Sequence, residues 1–201
     1  MSDIFERIVH NDETGVREIL AKNPAAAHAV NGDGISALMW ALYHHHRPLA
    51  EIIAAEGIEL TVWEAAAFGD LRTLERILEL QQQKANDIGP DGFLPIHLAS
   101  YFGHHACLRL LLRNGADANA VAANHARVRP LHSAVTGRHL ECVGILLEAG
   151  ADPNVRQAGG FTPLHSAVEH GDGAIYESLI TAGADATTAD DGRTAARKSP
   201  A

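Results

Sequence analysis

Three six-residue stretches share one grammar at near-constant spacing, and they constrain the chain more than any bulk property does. Leu94-Pro95-Ile96-His97-Leu98-Ala99, Arg129-Pro130-Leu131-His132-Ser133-Ala134 and Thr162-Pro163-Leu164-His165-Ser166-Ala167 place Pro, an aliphatic residue, His and Ala at fixed positions. Ser36-Ala37-Leu38-Met39-Trp40-Ala41 is a looser copy. Nineteen residues after each aliphatic anchor stands a glycine: Gly57, Gly115, Gly150 and Gly183, the last three opening Gly-Ala-Asp. Self-similarity at a period of roughly 20–50 residues denotes units that cannot bury an apolar face alone and must stack.

Each unit reads physically as two short helices and a turn. Thr162 before Pro163 suits an N-cap and first turn, because proline loses no helical hydrogen bond there and the threonine oxygen can accept one. Gly103 and Gly171 supply a stop, after which Cys107, Leu108, Leu111 and Leu112 recur at helical spacing. Gly115 or Gly150 ends that second helix, and the Ala-Asp-x-Asn and Gly-rich stretch that follows reads as a turn. Composition agrees. Hydrophobic residues make up 46% of the chain but aromatics only 5%, and 35 residues are alanine. A single large core would need bulkier fill, whereas stacked helices need small residues between layers, at Ala41, Ala65, Ala66, Ala99, Ala134 and Ala167.

These motifs resemble the ankyrin repeat, whose consensus runs Thr-Pro-Leu-His-x-Ala-Ala, Gly, Leu-Leu, Gly-Ala-Asp. Weaker copies extend it: Ile4 with Ile19-Leu20, Val62 with Ile77-Leu78, and a truncated Asp191-Gly192-Arg193-Thr194-Ala195-Ala196. The resemblance implies an all-α solenoid of about six helix-turn-helix units with β-hairpin loops and a truncated C-terminal cap. As one domain over 1–201, the repeats fall near 1–30, 31–57, 58–84, 85–119, 120–152 and 153–185, with a partial cap at 186–201. It further implies that His97, His132 and His165 are structural, bonding the backbone of the adjoining loop, and that the two residues before each first-helix stop face a concave groove. Those registers are Val9 and His10, Tyr43 and His44, Ala67 and Phe68, Tyr101 and Phe102, Thr136 and Gly137, Glu169 and His170. Tyr43, His44, Phe68, Tyr101 and Phe102 would then adjoin as a docking patch, which Phe93 and Phe161, one residue after hairpin glycines, could extend. The alternative is that the rings are filler between helices. Trp40 falls at a register expected to be mostly core.

One interval is short. Only four residues separate Gly57 from Val62, where the family places roughly fourteen. Thr61-Val62-Trp63-Glu64 reads as a capping box, so the second unit should run almost directly into the third and leave a gap in the hairpin row. Such a gap is either a tolerated deletion or a feature that shapes the groove and leaves Tyr43 and Phe68 less covered. At the ends, Glu6, Arg7, Asn11, Asp12, Glu13, Arg17 and Glu18 suit a polar amino-terminal cap. The stretch from Thr194 to Ala201 has room for about two helical turns. Ile175, Leu179 and Ile180 are therefore expected to be thinly covered, giving a fraying end or a dimer contact in an otherwise monomeric protein.

Charge and missing signatures limit the function. The net charge is −9 with scattered basic residues, which disfavours nucleic acid. Arg127, Arg129 and Arg138 read as a solvated face. No apolar run approaches the roughly 20 residues that span a bilayer, and the amino terminus lacks a basic-then-apolar leader, so a cytoplasmic location is expected. Cys107 and Cys142 share one register on successive second helices, whose axes should lie about 8–10 Å apart, too far for a disulfide; they should stay reduced. No phosphate loop, Gly-x-Ser-x-Gly or His-Glu-x-x-His is present, and no cofactor or metal is expected. The leading expectation is a noncatalytic module that binds a protein partner, with no role for nucleic acid or membrane. The alternative is a small metal-binding or redox-linked protein using a histidine ridge at His46, His104 and His139, which share the register after the first-helix stop, among the chain's 13 histidines.

Overall fold

The computed structural model describes residues 3–187. Six helix pairs follow one another among them. The first helices are α1 (Ile4–Val9), α3 (Ala37–Tyr43), α5 (Val62–Phe68), α7 (Pro95–Tyr101), α9 (Pro130–Thr136) and α11 (Pro163–His170). Their partners are α2 (Glu13–Lys22), α4 (Arg47–Ala54), α6 (Leu71–Leu80), α8 (His105–Arg113), α10 (Leu140–Glu148) and α12 (Gly173–Thr181). Each first helix packs on the first helix of the next pair, with Ala41, Ala65, Ala66, Ala99, Ala134 and Ala167 buried between them. The buried side chains form two clusters that meet at α5, with Leu60 and Trp63 packed against both. The C-terminal cap expected at Asp191–Ala196, and the turns expected from Thr194 on, lie outside the described residues.

A left-handed residue ends every first helix. Gly69, Gly103 and Gly171 have φ of 85°, 79° and 64°, while Asn11, His45 and Arg138 adopt 53°, 59° and 62° in the same role. The turn is thus kept even where its glycine is not, against a steric cost of about 1–2 kcal/mol at a residue with a Cβ. Helix entry varies too. The Thr61 hydroxyl accepts the Glu64 N–H at 3.3 Å and Glu64 Oε2 accepts the Thr61 N–H at 2.8 Å, the capping box expected there. In α7, α9 and α11 the imidazole does this work: Nδ1 of His97, His132 and His165 accepts the N–H of Leu94, Arg129 and Thr162 at 3.4, 3.2 and 3.1 Å. The Thr162 hydroxyl, expected to cap the helix, instead pairs with His165 Nδ1 at 2.7 Å.

Two rows of bonds tie unit to unit. Because Nδ1 accepts, the ring proton sits on Nε2, and from there His97 donates to the Val128 carbonyl and His132 to the Phe161 carbonyl, both at 3.2 Å. The second row uses the asparagine of each inter-unit turn. Asn119 Nδ2 donates to the Gly150 carbonyl at 2.9 Å while its Oδ1 accepts the Asp152 N–H at 3.0 Å, and Asn154 repeats the pattern on Gly183 and Asp185.

The expected hairpins reduce to tight loops. Among the described residues there is one isolated antiparallel bridge, Val30 to Ser36, and the loops are closed by single bonds such as Gly89 N–H to the Phe93 carbonyl at 2.8 Å. Their arms are too short for a ladder. Loops are linked along the row: Ala158 N–H donates to Ala126 at 2.9 Å and Ala123 N–H to Gly92 at 2.8 Å. The next donor in this register is Pro90, as Gly89 matches Ala122 in closing its loop, and proline has no N–H. The loop that would have accepted it is absent, since 57–61 runs straight into α5 as expected. Pro90 instead lies against Gly34 of the second unit, 3.4 Å from where a Cβ would stand. The gap expected in the row is therefore closed at the loop tips, with a hollow left beneath.

The ends differ from each other. The seven polar residues of the amino-terminal cap are exposed or half-buried, with Arg7 paired to Asp12. Ile175 and Leu179, expected to be thinly covered, are fully buried and Ile180 is half-buried, because α12 packs on both α10 and α11. No helix among the described residues is long and apolar enough to cross a membrane.

Candidate protein-binding groove

Residues of α3, α7 and α9, with the loops that precede α7 and α9, together line the candidate groove. Tyr43, Phe93, Leu98, Tyr101, Val128 and Thr136 line a hollow of about 270 Å³, with the imidazoles of His97 and His132 in its wall. Tyr43 reaches across the short third unit, where only Ala67 fills the matching position, to a tilted contact with Phe102 at 6.0 Å between centroids. Tyr101 meets Phe102 edge-on at 5.0 Å. The Tyr43 hydroxyl donates to Asp91 Oδ2, and burial, helped by the Asp91 charge, pushes its ionisation far above the usual phenol range.

The seven sequence-selected residues divide accordingly. Tyr43, Phe93 and Tyr101 share the hollow and Phe102 touches two of the same rings. His44 does not join them; it lies edge-on to Trp40 at 4.8 Å and stacks with His46 at 6.2 Å. Phe68 lies under the Arg47 guanidinium, 5.0 Å from its ring centre. Phe161 packs on His165 at 5.6 Å, much as Phe93 packs on His97 at 5.8 Å. All seven are half-buried. Tyr43 is not left open by the missing hairpin: it is held by Asp91, whose loop has moved into contact with the second unit. Trp40 is half-buried between Phe5 and His44 rather than core.

Asp91 was not foreseen. Its Oδ2 takes the Tyr43 hydroxyl, its Oδ1 the Phe93 N–H at 3.0 Å and its carbonyl the Asn124 side chain at 3.2 Å, joining three units. The Gly-Pro-Asp-Gly sequence announced a turn but not its reach.

Two of the three ridge histidines, His104 and His139, are inter-unit links, while His46 stacks on His44 of its own unit. His104 Nε2 pairs with the Ala67 carbonyl at 3.0 Å, and the Tyr101 carbonyl engages His139 in the same manner. Both rings are titrated downward by desolvation. Their approach requires Gly69 and Gly103, where a Cβ would stand 2.5 Å from the imidazole atoms. Among the described residues no group of three or more His, Cys, Asp or Glu is arranged to hold a metal ion. Cys107 and Cys142 are buried free thiols, each pushed up to about 11 chiefly by burial.

Paired helices, left-handed stops and inter-unit imidazole and asparagine bonds define a helical-repeat solenoid. A family model of ankyrin repeats in three copies matches residues 62–157 and 131–190, well over half of the chain, and the chain belongs to the ankyrin-repeat family. That family generally mediates protein–protein contacts and is typically noncatalytic. No curated protein matches the chain.

Proposed function

We propose that the chain is a noncatalytic interaction module that docks a protein partner in the concave groove, at the hollow lined by Tyr43, Phe93 and Tyr101 and backed by Phe102. The observation that carries this reading is the aromatic-lined hollow itself. Three of the chain's ten Phe, Trp and Tyr residues line it and a fourth, Phe102, packs against two of them, and aromatic anchors seated in pockets dominate interface energetics, at about 2 kcal/mol or more each. The half-buried rings are already ordered by their neighbours, so little side-chain entropy is lost on docking. A partner with a basic or polar rim suits the net charge of −9.

The test is pull-down from the native host with Tyr101→Ala plus Phe102→Ala. Partner capture is expected to fall at least tenfold while thermal unfolding stays cooperative. Unchanged capture by the folded double variant refutes the site.

A further inference from the structure

The hollow left beneath the Gly34–Pro90 contact is a second site. It has a volume of about 240 Å³ and is separated from the groove by the Tyr43–Asp91 link, since Asp91 lies on its edge while Tyr43 lines the groove. Ile35, Met39 and Trp63 form apolar walls, Glu59 and Glu64 bring two carboxylates, and His28 and the edge residue Asp91, whose carboxylate is engaged by Tyr43 and the Phe93 N–H, complete the polar lining. We propose that this notch receives an arginine side chain from a loop of a protein partner.

Size, charge and shape select that occupant. The volume falls below the roughly 300–1,000 Å³ usual for small-molecule sites, which favours a single side chain. No lysine or arginine lines the notch, and among the described residues neither Glu59 nor Glu64 has a salt-bridge partner. Arg76 and Lys84 lie on the far side of the 59–63 segment, in a neighbouring hollow. Glu64 is only 8% exposed yet is held by neutral donors alone: Ser36 Oγ at 2.6 Å, Thr61 Oγ1 at 2.8 Å and the Thr61 N–H. Attraction between opposite charges is screened less at a site so enclosed than at an exposed one. Guanidinium suits it better than ammonium, because its flat, weakly hydrated face tolerates Trp63 and its methylene stem suits Met39 and Ile35. The notch arises from the absent loop, so it is a property of this chain's short interval and not of the repeat as such. Val30 at the rim, 61% exposed, offers the partner's backbone an apolar shoulder.

The interaction-module reading supplies only the source of the arginine, so the site is testable without a partner. The probe is N-acetyl-L-arginine amide, titrated into the ¹⁵N-labelled full chain to about 50 mM, enough to saturate a millimolar site. The Trp63 indole N–H, told from that of Trp40 with Trp40→Phe, and the Thr61 amide are expected to shift saturably. N-acetyl-L-norleucine amide should shift neither. Glu59→Gln, at the exposed rim, is expected to weaken the arginine site about tenfold, the loss of one charge-assisted contact. Tyr101→Ala plus Phe102→Ala should leave it unchanged. Absence of a saturable shift, an equal response to norleucine amide, or no effect of Glu59→Gln overturns the notch. Loss of the shift in the groove double variant also overturns it, by assigning the arginine to the groove.

Discussion

Acidification should loosen the stack through His97 and His132 before most carboxylates titrate. In each ring Nδ1 accepts the cap N–H and Nε2 donates to the next loop, so a second proton would set an N–H donor against another N–H. Burial, the main cause, holds both at about 4, below the ordinary value near 6.5. The sign follows from proton counting: above 6.5 neither state binds a proton, while between 6.5 and 4 the unfolded chain binds one more per histidine. Stability therefore falls as pH falls, by about 1.4 kcal/mol per unit for each ring. From about pH 6.5 to 4.5 the pair accounts for roughly 5 kcal/mol, comparable with the whole stability of a small domain. His104 and His139, also lowered by burial, add in the same direction.

Urea unfolding followed by far-ultraviolet circular dichroism across this range reads the slope directly. The decisive variant is His97→Gln plus His132→Gln, since a glutamine amide can accept the cap N–H and donate onward without titrating. Its stability should lose the part of the slope owed to His97 and His132 and keep only the smaller part owed to His104 and His139. A parent with no loss between about pH 6.5 and 5, or a double variant that keeps the parent slope, refutes the assignment of these rings as neutral links.

Two further outcomes follow from packing. Gly137 has an ordinary helical φ of −73°, yet a Cβ there would stand 2.2 Å from the Tyr101 carbonyl, so Gly137→Ala should cost about 1–3 kcal/mol in urea unfolding, with near-neutral loss refuting the close approach. Cys107 and Cys142, pushed from 9.0 to about 11, should alkylate at least about a hundredfold more slowly in the native chain than in urea; native-rate labelling equal to that of the unfolded chain would show them accessible.

Much of the fold was legible because the repeat writes its bonds into sequence. The family resemblance implied structural imidazoles at the Pro-x-His histidines, the Thr61-Val62-Trp63-Glu64 stretch read as a capping box, and the alanines predicted close helix contacts. Left-handed stops at Asn11, His45 and Arg138 were not legible as such, because the backbone keeps its turn through tertiary packing after the glycine is lost. The site was half legible. Register placed Tyr43, Tyr101 and Phe102 near one another, but His44 and Phe68 found local partners in Trp40 and Arg47, and contacts of that kind depend on side-chain rotamers that periodicity does not encode.

Pro90 shows why the gap was misjudged. A deleted loop looks, in one dimension, like a missing tooth that exposes its neighbours. In three dimensions the loop before the fourth unit has no partner to donate to, and at that register stands the one residue that needs none. Pro90 has no N–H that would need an acceptor from the missing loop, and its exposed ring rests against Gly34. The short interval and the proline thus fit one another in this chain. Together they carry Asp91 to Tyr43, turning one missing loop into the wall between the groove and the acidic notch.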